Sequence, residues 1–199
     1  MKTTTGKMLC ISLLACLLTA CATDDEGDGS MKYFDSNVVG ATFEGVWNID
    51  GTPAEQTSLL IYSNENALQT VTFGNFPYAV ALSTLLPQLE GYQAVEPDTP
   101  PTFIFSSIGY STSANYAEMY TPKGDDYDHI LFEAIGTDGD AASVTLDLLP
   151  SKSTFVISET TANCILTVKR LHLTCADGQQ QTWALNPERK LTFTSTKKR

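Results

Sequence analysis

From Met31 onward, apolar and polar residues alternate with a period of two, the pattern of half-buried strands and not the 3.6-residue period of amphipathic helices. Phe43, Trp47 and Ile49 fall on one side of such a strand, with Thr42, Glu44 and Asn48 on the other. Asp50-Gly51-Thr52-Pro53 then breaks the chain. Residues 57–63 and 67–74 follow as a hairpin joined through Asn64-Glu65-Asn66. Further strands are expected over 103–108, 112–120, 130–135, 142–149, 153–158, 162–174, 181–185 and 191–196. Gly124-Asp125, Asp138-Gly139, Asp177-Gly178 and Asn186-Pro187 supply turn chemistry between them. Short strands punctuated in this way predict an all-β antiparallel sandwich or barrel-like single domain.

One segment departs from the alternation. Residues 78–86 are apolar all round, follow Pro77 and end before Pro87, which predicts a short buried helix. Residues 96–101 are rich in proline and read as an extended surface loop. Near the C-terminus, Asp177-Gly178 predicts a type I′ hairpin that pairs 171–176 with 179–184. Asn186-Pro187-Glu188-Arg189 then predicts a type I turn, completing a three-stranded meander that ends in the basic Lys197-Lys198-Arg199. Within 162–174 the buried parity changes at Lys169-Arg170, as a β-bulge would produce.

The first thirty residues have another character. Lys2 and Lys7 precede an apolar run from Met8 to Leu18, too short to span a bilayer and suited to a signal peptide over residues 1–20. Leu18-Thr19-Ala20-Cys21 resembles the lipobox of bacterial lipoproteins. That resemblance implies lipid transfer to the Cys21 sulfur, cleavage before it and a membrane anchor made of several acyl chains. Residues 21–30, with Asp24, Asp25, Glu26 and Asp28, read as a solvated tether before a β domain spanning 31–199. The acidic tether also resembles the export signal that places Bacteroidetes lipoproteins on the outer face of the outer membrane. The periplasmic face is the alternative location. Together, anchor, tether and body are similar to small lipoproteins of gut Bacteroidetes.

Charge narrows the partners. The whole chain carries a formal charge of −11, and removal of Lys2 and Lys7 with the signal takes it to −13. Phosphate would be repelled, so no nucleic-acid partner is expected. No cofactor motif is present, and no cofactor is expected.

Candidate chemistry is sparse, and each candidate has a plainer rival. Tyr110, Tyr116 and Tyr120 share one parity, so an extended chain would form an aromatic row able to hold a sugar ring or a partner chain. Tyrosines also simply fill sheet faces. Asp125, Asp126 and Asp128 in one loop and Asp138 and Asp140 in another could share a calcium ion, though their spacing fits no EF-hand and ordinary solvated turns have the same composition. Cys164 and Cys175 would meet across a hairpin if the chain turned at Lys169-Arg170, allowing a disulfide. In one continuous strand they would lie roughly 36 Å apart, at about 3.3 Å per residue, and Lys-Arg is poor turn chemistry, so separate buried or half-buried thiols are expected. His129 and His172 lie on different strands, and His172, between Leu171 and Leu173, belongs on a polar face. No nucleophile elbow or zinc-protease motif accompanies them, so no catalytic residue is assigned.

These features lead to the expectation of a non-enzymatic, membrane-anchored binding or accessory module for glycan or for an envelope protein. A carboxylate-dependent hydrolase of polysaccharide or peptide, using groups such as Glu44, Asp126, Asp128 or Glu133, is the first alternative. A pilin-like structural subunit is the second.

Overall fold

The computed structural model describes residues 40–65, 68–105, 107–111, 116–120, 129–158 and 160–199. Residues 37–199 form one compact unit. Twelve strands account for most of it: β1 (Thr42–Ile49), β2 (Thr52–Glu65), β3 (Leu68–Gly74), β4 (Gln93–Val95), β5 (Thr102–Phe105), β6 (Ser107–Ser111), β7 (Tyr116–Tyr120), β8 (His129–Ile135), β9 (Ala141–Leu148), β10 (Thr154–Ser158), β11 (Ala162–Cys175) and β12 (Gln180–Lys198). The one described α-helix, α1 (Tyr78–Leu85), sits between β3 and β4 and is followed by a 3-10 turn at Pro87–Leu89. The expected all-β class with a short helix is therefore what the chain forms.

Every described pairing is antiparallel. One path through the sheet runs β4-β8-β9-β11-β12-β1-β2-β3-β5, and a branch leaves β11 through β10 and β7 to β6. The fork exists because β11 is long enough to serve two partners along one edge. Its first residues, 162–165, pair with β10, while Val168 to Cys175 pair with β9. β6 begins two positions after β5 ends, so the branch returns through the covalent chain to the far end of the main path. The sheet curls accordingly into a half-barrel, with β4, β8 and β9 extending it as a wing.

Local sequence explains the joints. Asp50 and Gly51 both adopt positive φ, 48° and 93°, and join Ile49 to Thr52 in a two-residue turn. This is the type I′ geometry that matches strand twist. The parity change at Lys169-Arg170 is a register irregularity between Val168 and Arg170, against both β9 and β12. Before it Cys164, Leu166 and Val168 are buried; after it Leu171 and Leu173 are. An extra residue rotates the strand, so each half turns its apolar side inward.

Two expectations near the C-terminus are corrected. The hairpin after β11 is not a two-residue type I′ turn at Asp177-Gly178. Leu171 pairs with Trp183 and Thr174 with Gln180, which leaves a three-residue loop, and only Gly178 has positive φ (82°). The Gly178 amide donates to the Cys175 carbonyl at 2.9 Å, and Asp177 Oδ1 accepts from the Gln179 amide at 2.9 Å. A type I turn closed by a left-handed glycine satisfies the backbone without forcing Asp177 there. The second correction concerns Asn186-Pro187-Glu188-Arg189. The chain does not reverse there but continues as β12, with Ala184 opposite Arg170 and Arg189 opposite Val168. The intervening residues bulge outward, a position where a proline without an N–H costs the ladder nothing. In place of a meander, β12 goes on to pair with β1.

The core is aromatic. Trp47 meets Phe73, Phe76 and Phe193 edge-on, with centroids 4.9, 5.1 and 5.5 Å apart. Such contacts contribute about 0.5–1.5 kcal/mol each beyond area burial. Under the wing, Ile130, Phe132, Val144, Leu146, Leu171 and Leu173 are buried, and α1 closes that side through Tyr78, whose ring lies 5.2 Å from Phe132.

Candidate functional site

Burying one face of β8, β9 and the second half of β11 leaves the other face to solvent. Reading across the register, it presents Leu131, Thr145 and His172 in one row and Glu133, Ser143 and Thr174 in the next. Leu131 is 53% exposed and Ile135 41%, whereas Phe132, which points to the inner face, is only 2% exposed.

Two kinds of structure mark this face. The first is a polar chain. His172 Nε2 lies 2.9 Å from Asp147 Oδ2, His172 Nδ1 lies 2.9 Å from Thr182 Oγ1, and Arg170 Nε lies 3.6 Å from the same Asp147 oxygen. A carboxylate accepts only, so Nε2 carries the proton and Nδ1 accepts from the Thr182 hydroxyl while the ring is neutral. The order carboxylate, imidazole, hydroxyl is that of an acyl-transfer triad. Here the three groups stand on adjacent strands of an open sheet face, and neither cavity described below is lined by any of them. The chain locks β9, β11 and β12 in register, as cross-strand polar pairs do.

The second is a groove of about 400 Å³ lined by Val95, Glu96, Pro97, Asp98, Leu131, Phe132, Glu133 and Ser143. It brings the segment after β4 against the outer face of β8 and β9. Val95 is opposite Glu133 in the ladder and Ser143 is opposite Glu133 on the other side. The lining thus has an apolar base and three carboxylates, and no cationic side chain. Behind it, Tyr78 is buried between Phe76 and Phe132. Burial, aided by the negative charge of Glu96, pushes its phenol well above the ordinary tyrosine range. A larger cavity, about 690 Å³, is built wholly from residues between Ala79 and Ala94 and is the crease between α1 and the returning chain. The smaller groove is the stronger candidate because its residues meet only through tertiary structure and combine charge with exposed apolar area.

The other candidate residues fall as follows. Tyr110 is on β6 and Tyr116 and Tyr120 on β7, with Tyr110 opposite Ala117 and Tyr116 opposite Ser111. Asp138 and Asp140 form the β8–β9 turn, where Asp138 Oδ1 accepts from the Asp140 amide at 3.3 Å. Among the described residues no cluster of three or more potential ligands could hold a metal ion. Cys21, Asp125, Asp126 and Asp128 lie outside the described residues. Cys164 and Cys175 are free thiols toward opposite ends of β11, the first buried and the second half-buried. Burial drives the Cys164 thiol far above the ordinary thiol range. Glu44 is ion-paired with Arg199, and Glu133 lines the groove. Sequence reasoning took Glu96 and Asp98 only as part of a proline-rich loop. The available signal was their interleaving with Pro97, which holds both carboxylates on an extended, pre-ordered backbone.

No protein-family model, no curated protein and no solved structure matches this chain.

Proposed function

We propose that this protein is a lipid-anchored, non-enzymatic binding module, held to the outer membrane through Cys21 and displayed at the cell exterior on its acidic tether. Its ligand, a glycan or an envelope protein, is taken by the groove between the segment after β4 and the outer face of β8. The observation that carries the reading is the groove itself, which joins Leu131 and Val95 to Glu96, Asp98 and Glu133 on a face the core leaves open. The β-rich body suits display: Leu131, Phe132, Glu133 and Ser143 of the groove lining stand on the paired strands β8 and β9, which give that side a rigid scaffold. The lipobox-like Leu18-Thr19-Ala20-Cys21 supports the anchor, and no described helix is long and apolar enough to cross a membrane.

The anchor is tested by labelled fatty acid, which should enter the intact chain and not the Cys21→Ala variant. Binding is tested by a glycan array and an envelope pull-down, each repeated with Glu133→Ala. Signals that vanish with Glu133→Ala support the groove; two empty screens refute the module. That three carboxylates line one cavity also favours the hydrolase alternative, in which two carboxyls about 5–5.5 Å apart would act on a glycosidic bond. Hydrolysis of polysaccharide by the intact chain and not by Glu133→Gln would select it.

A further inference from the structure

The groove has a property that distinguishes between ligand classes. β9 accompanies β8 along all seven residues, but β4 accompanies it only from Ile135 to Glu133. β4 ends there because two residues later Pro97 has no N–H to offer a ladder. Among the described residues, no strand pairs with the outer edge of β8 at Ile130, Leu131 and Phe132. The open edge is also the edge of the groove, since Leu131 and Phe132 line it. An edge of this kind is a template for one more strand.

Charge and shape narrow the occupant. The groove is lined by Glu96 and Asp98 from the segment after β4, by Leu131 and Glu133 from β8, and by Val95 from the end of β4. A lysine or arginine fits this: its methylene stem lies along Leu131 and Val95, and its charged head reaches the carboxylates. A sugar ring would want a flat exposed aromatic face. The aromatic ring in this lining is Phe132, and it is only 2% exposed. The acidic tether of this chain, with Asp24, Asp25, Glu26 and Asp28, has the wrong sign to occupy the site.

We infer that the groove takes an extended cationic peptide from a partner protein, which adds a strand to the open edge of β8 and places alternate lysine or arginine side chains between Glu96, Asp98 and Glu133. This rests on the binding-module reading and names its ligand. Alternation follows from strand geometry, since residues two apart share a face and the intervening ones do not. Backbone pairing supplies affinity, and the carboxylates supply the choice of sequence and the salt dependence.

The test is fluorescence polarisation of the purified full chain with three labelled eight-residue peptides: alternating Lys-Val, alternating Glu-Val, and Lys-Val carrying N-methyl groups on alternate amides. The Lys-Val peptide should bind, the Glu-Val peptide should not, and N-methylation should weaken binding at least about tenfold by removing ladder donors. Glu96→Lys and Glu133→Lys, exposed positions where folding can be verified by circular dichroism, should each weaken Lys-Val binding by about tenfold or more. Lys-Val binding that is indifferent to both substitutions overturns the inference. So does equal affinity for the N-methylated peptide, which would leave only charge attraction. A glycan bound in a Glu133-dependent way with all peptides silent overturns the inference while preserving the module. Silence of both glycans and peptides overturns the two together.

Discussion

Gly45 gives the sharpest test of how the half-barrel is packed. It lies buried in β1, where the register with β12 shifts between Glu44 and Gly45. A Cβ placed there would lie 2.5 Å from the Thr194 carbonyl oxygen and 2.7 Å from Phe193 Cε2, with Phe193 Cζ nearer still. Neither neighbour can yield cheaply. Thr194 is backbone within the β12 ladder, and the Phe193 ring is wedged against Trp47 and Phe73, each 5.5 Å away. Overpacking a core by one methyl costs about 1–3 kcal/mol. Displacing Phe193 also sacrifices part of two edge-on ring contacts worth about 0.5–1.5 kcal/mol each. Against this stands the gain of about 0.5–1 kcal/mol from replacing a flexible glycine in a strand. Gly45→Ala should therefore destabilise the protein by about 2–3 kcal/mol. With an m-value of about 2 kcal/mol/M, the urea midpoint followed by tryptophan fluorescence should fall by about 1–1.5 M with the slope unchanged. Gly74→Ala is the control, since its Cβ would meet only Leu59 Cβ at an ordinary 3.6 Å. A Gly45→Ala midpoint within about 0.2 M of the parent would show that Phe193 is not held as described.

Three further outcomes are expected. Of the two β11 thiols, Cys175 should react with a thiol reagent in the native protein and Cys164 only after unfolding, because Cys164 is buried as the neutral thiol; equal native rates would contradict its burial. Tyr78 should ionise above the ordinary tyrosine range in an alkaline ultraviolet titration compared with Tyr78→Phe. Its folded pKa lies above the unfolded value near 10, so its contribution to stability is complete below that pH and falls as pH rises past it; an unchanged alkaline midpoint in Tyr78→Phe would count against this. Glu188 titrates below the ordinary carboxylate range because it accepts a 2.8 Å hydrogen bond from Lys152, so in Lys152→Ala its carboxyl resonance should move back toward the usual range.

Much of the fold can be read locally. Alternation places Phe43, Trp47 and Ile49 inside β1, and the apolar run after Pro77 forms α1. The parity change at Lys169-Arg170 announces the bulge that keeps both halves of β11 facing the core. Each of these signals depends only on how side chains alternate along a few residues, which is a property of the chain itself. The anchor reading is of the same kind, resting on a short run of residues ending at Cys21.

Tertiary structure decided what alternation cannot encode. Whether Asp177-Gly178 closes a two- or three-residue loop depends on the partner strand's register, and the register follows from which faces the core must bury. Asn186-Pro187 looks like a stop, yet β12 continues through it because β11 and β1 supply its next partners. Glu96 and Asp98 line one groove with Glu133 only because β4 pairs with β8 after a separation of nearly forty residues. A groove is a relation between segments distant along the chain. Its geometry is set by strand pairing and by what the core excludes from solvent, and neither is written in any single stretch of residues.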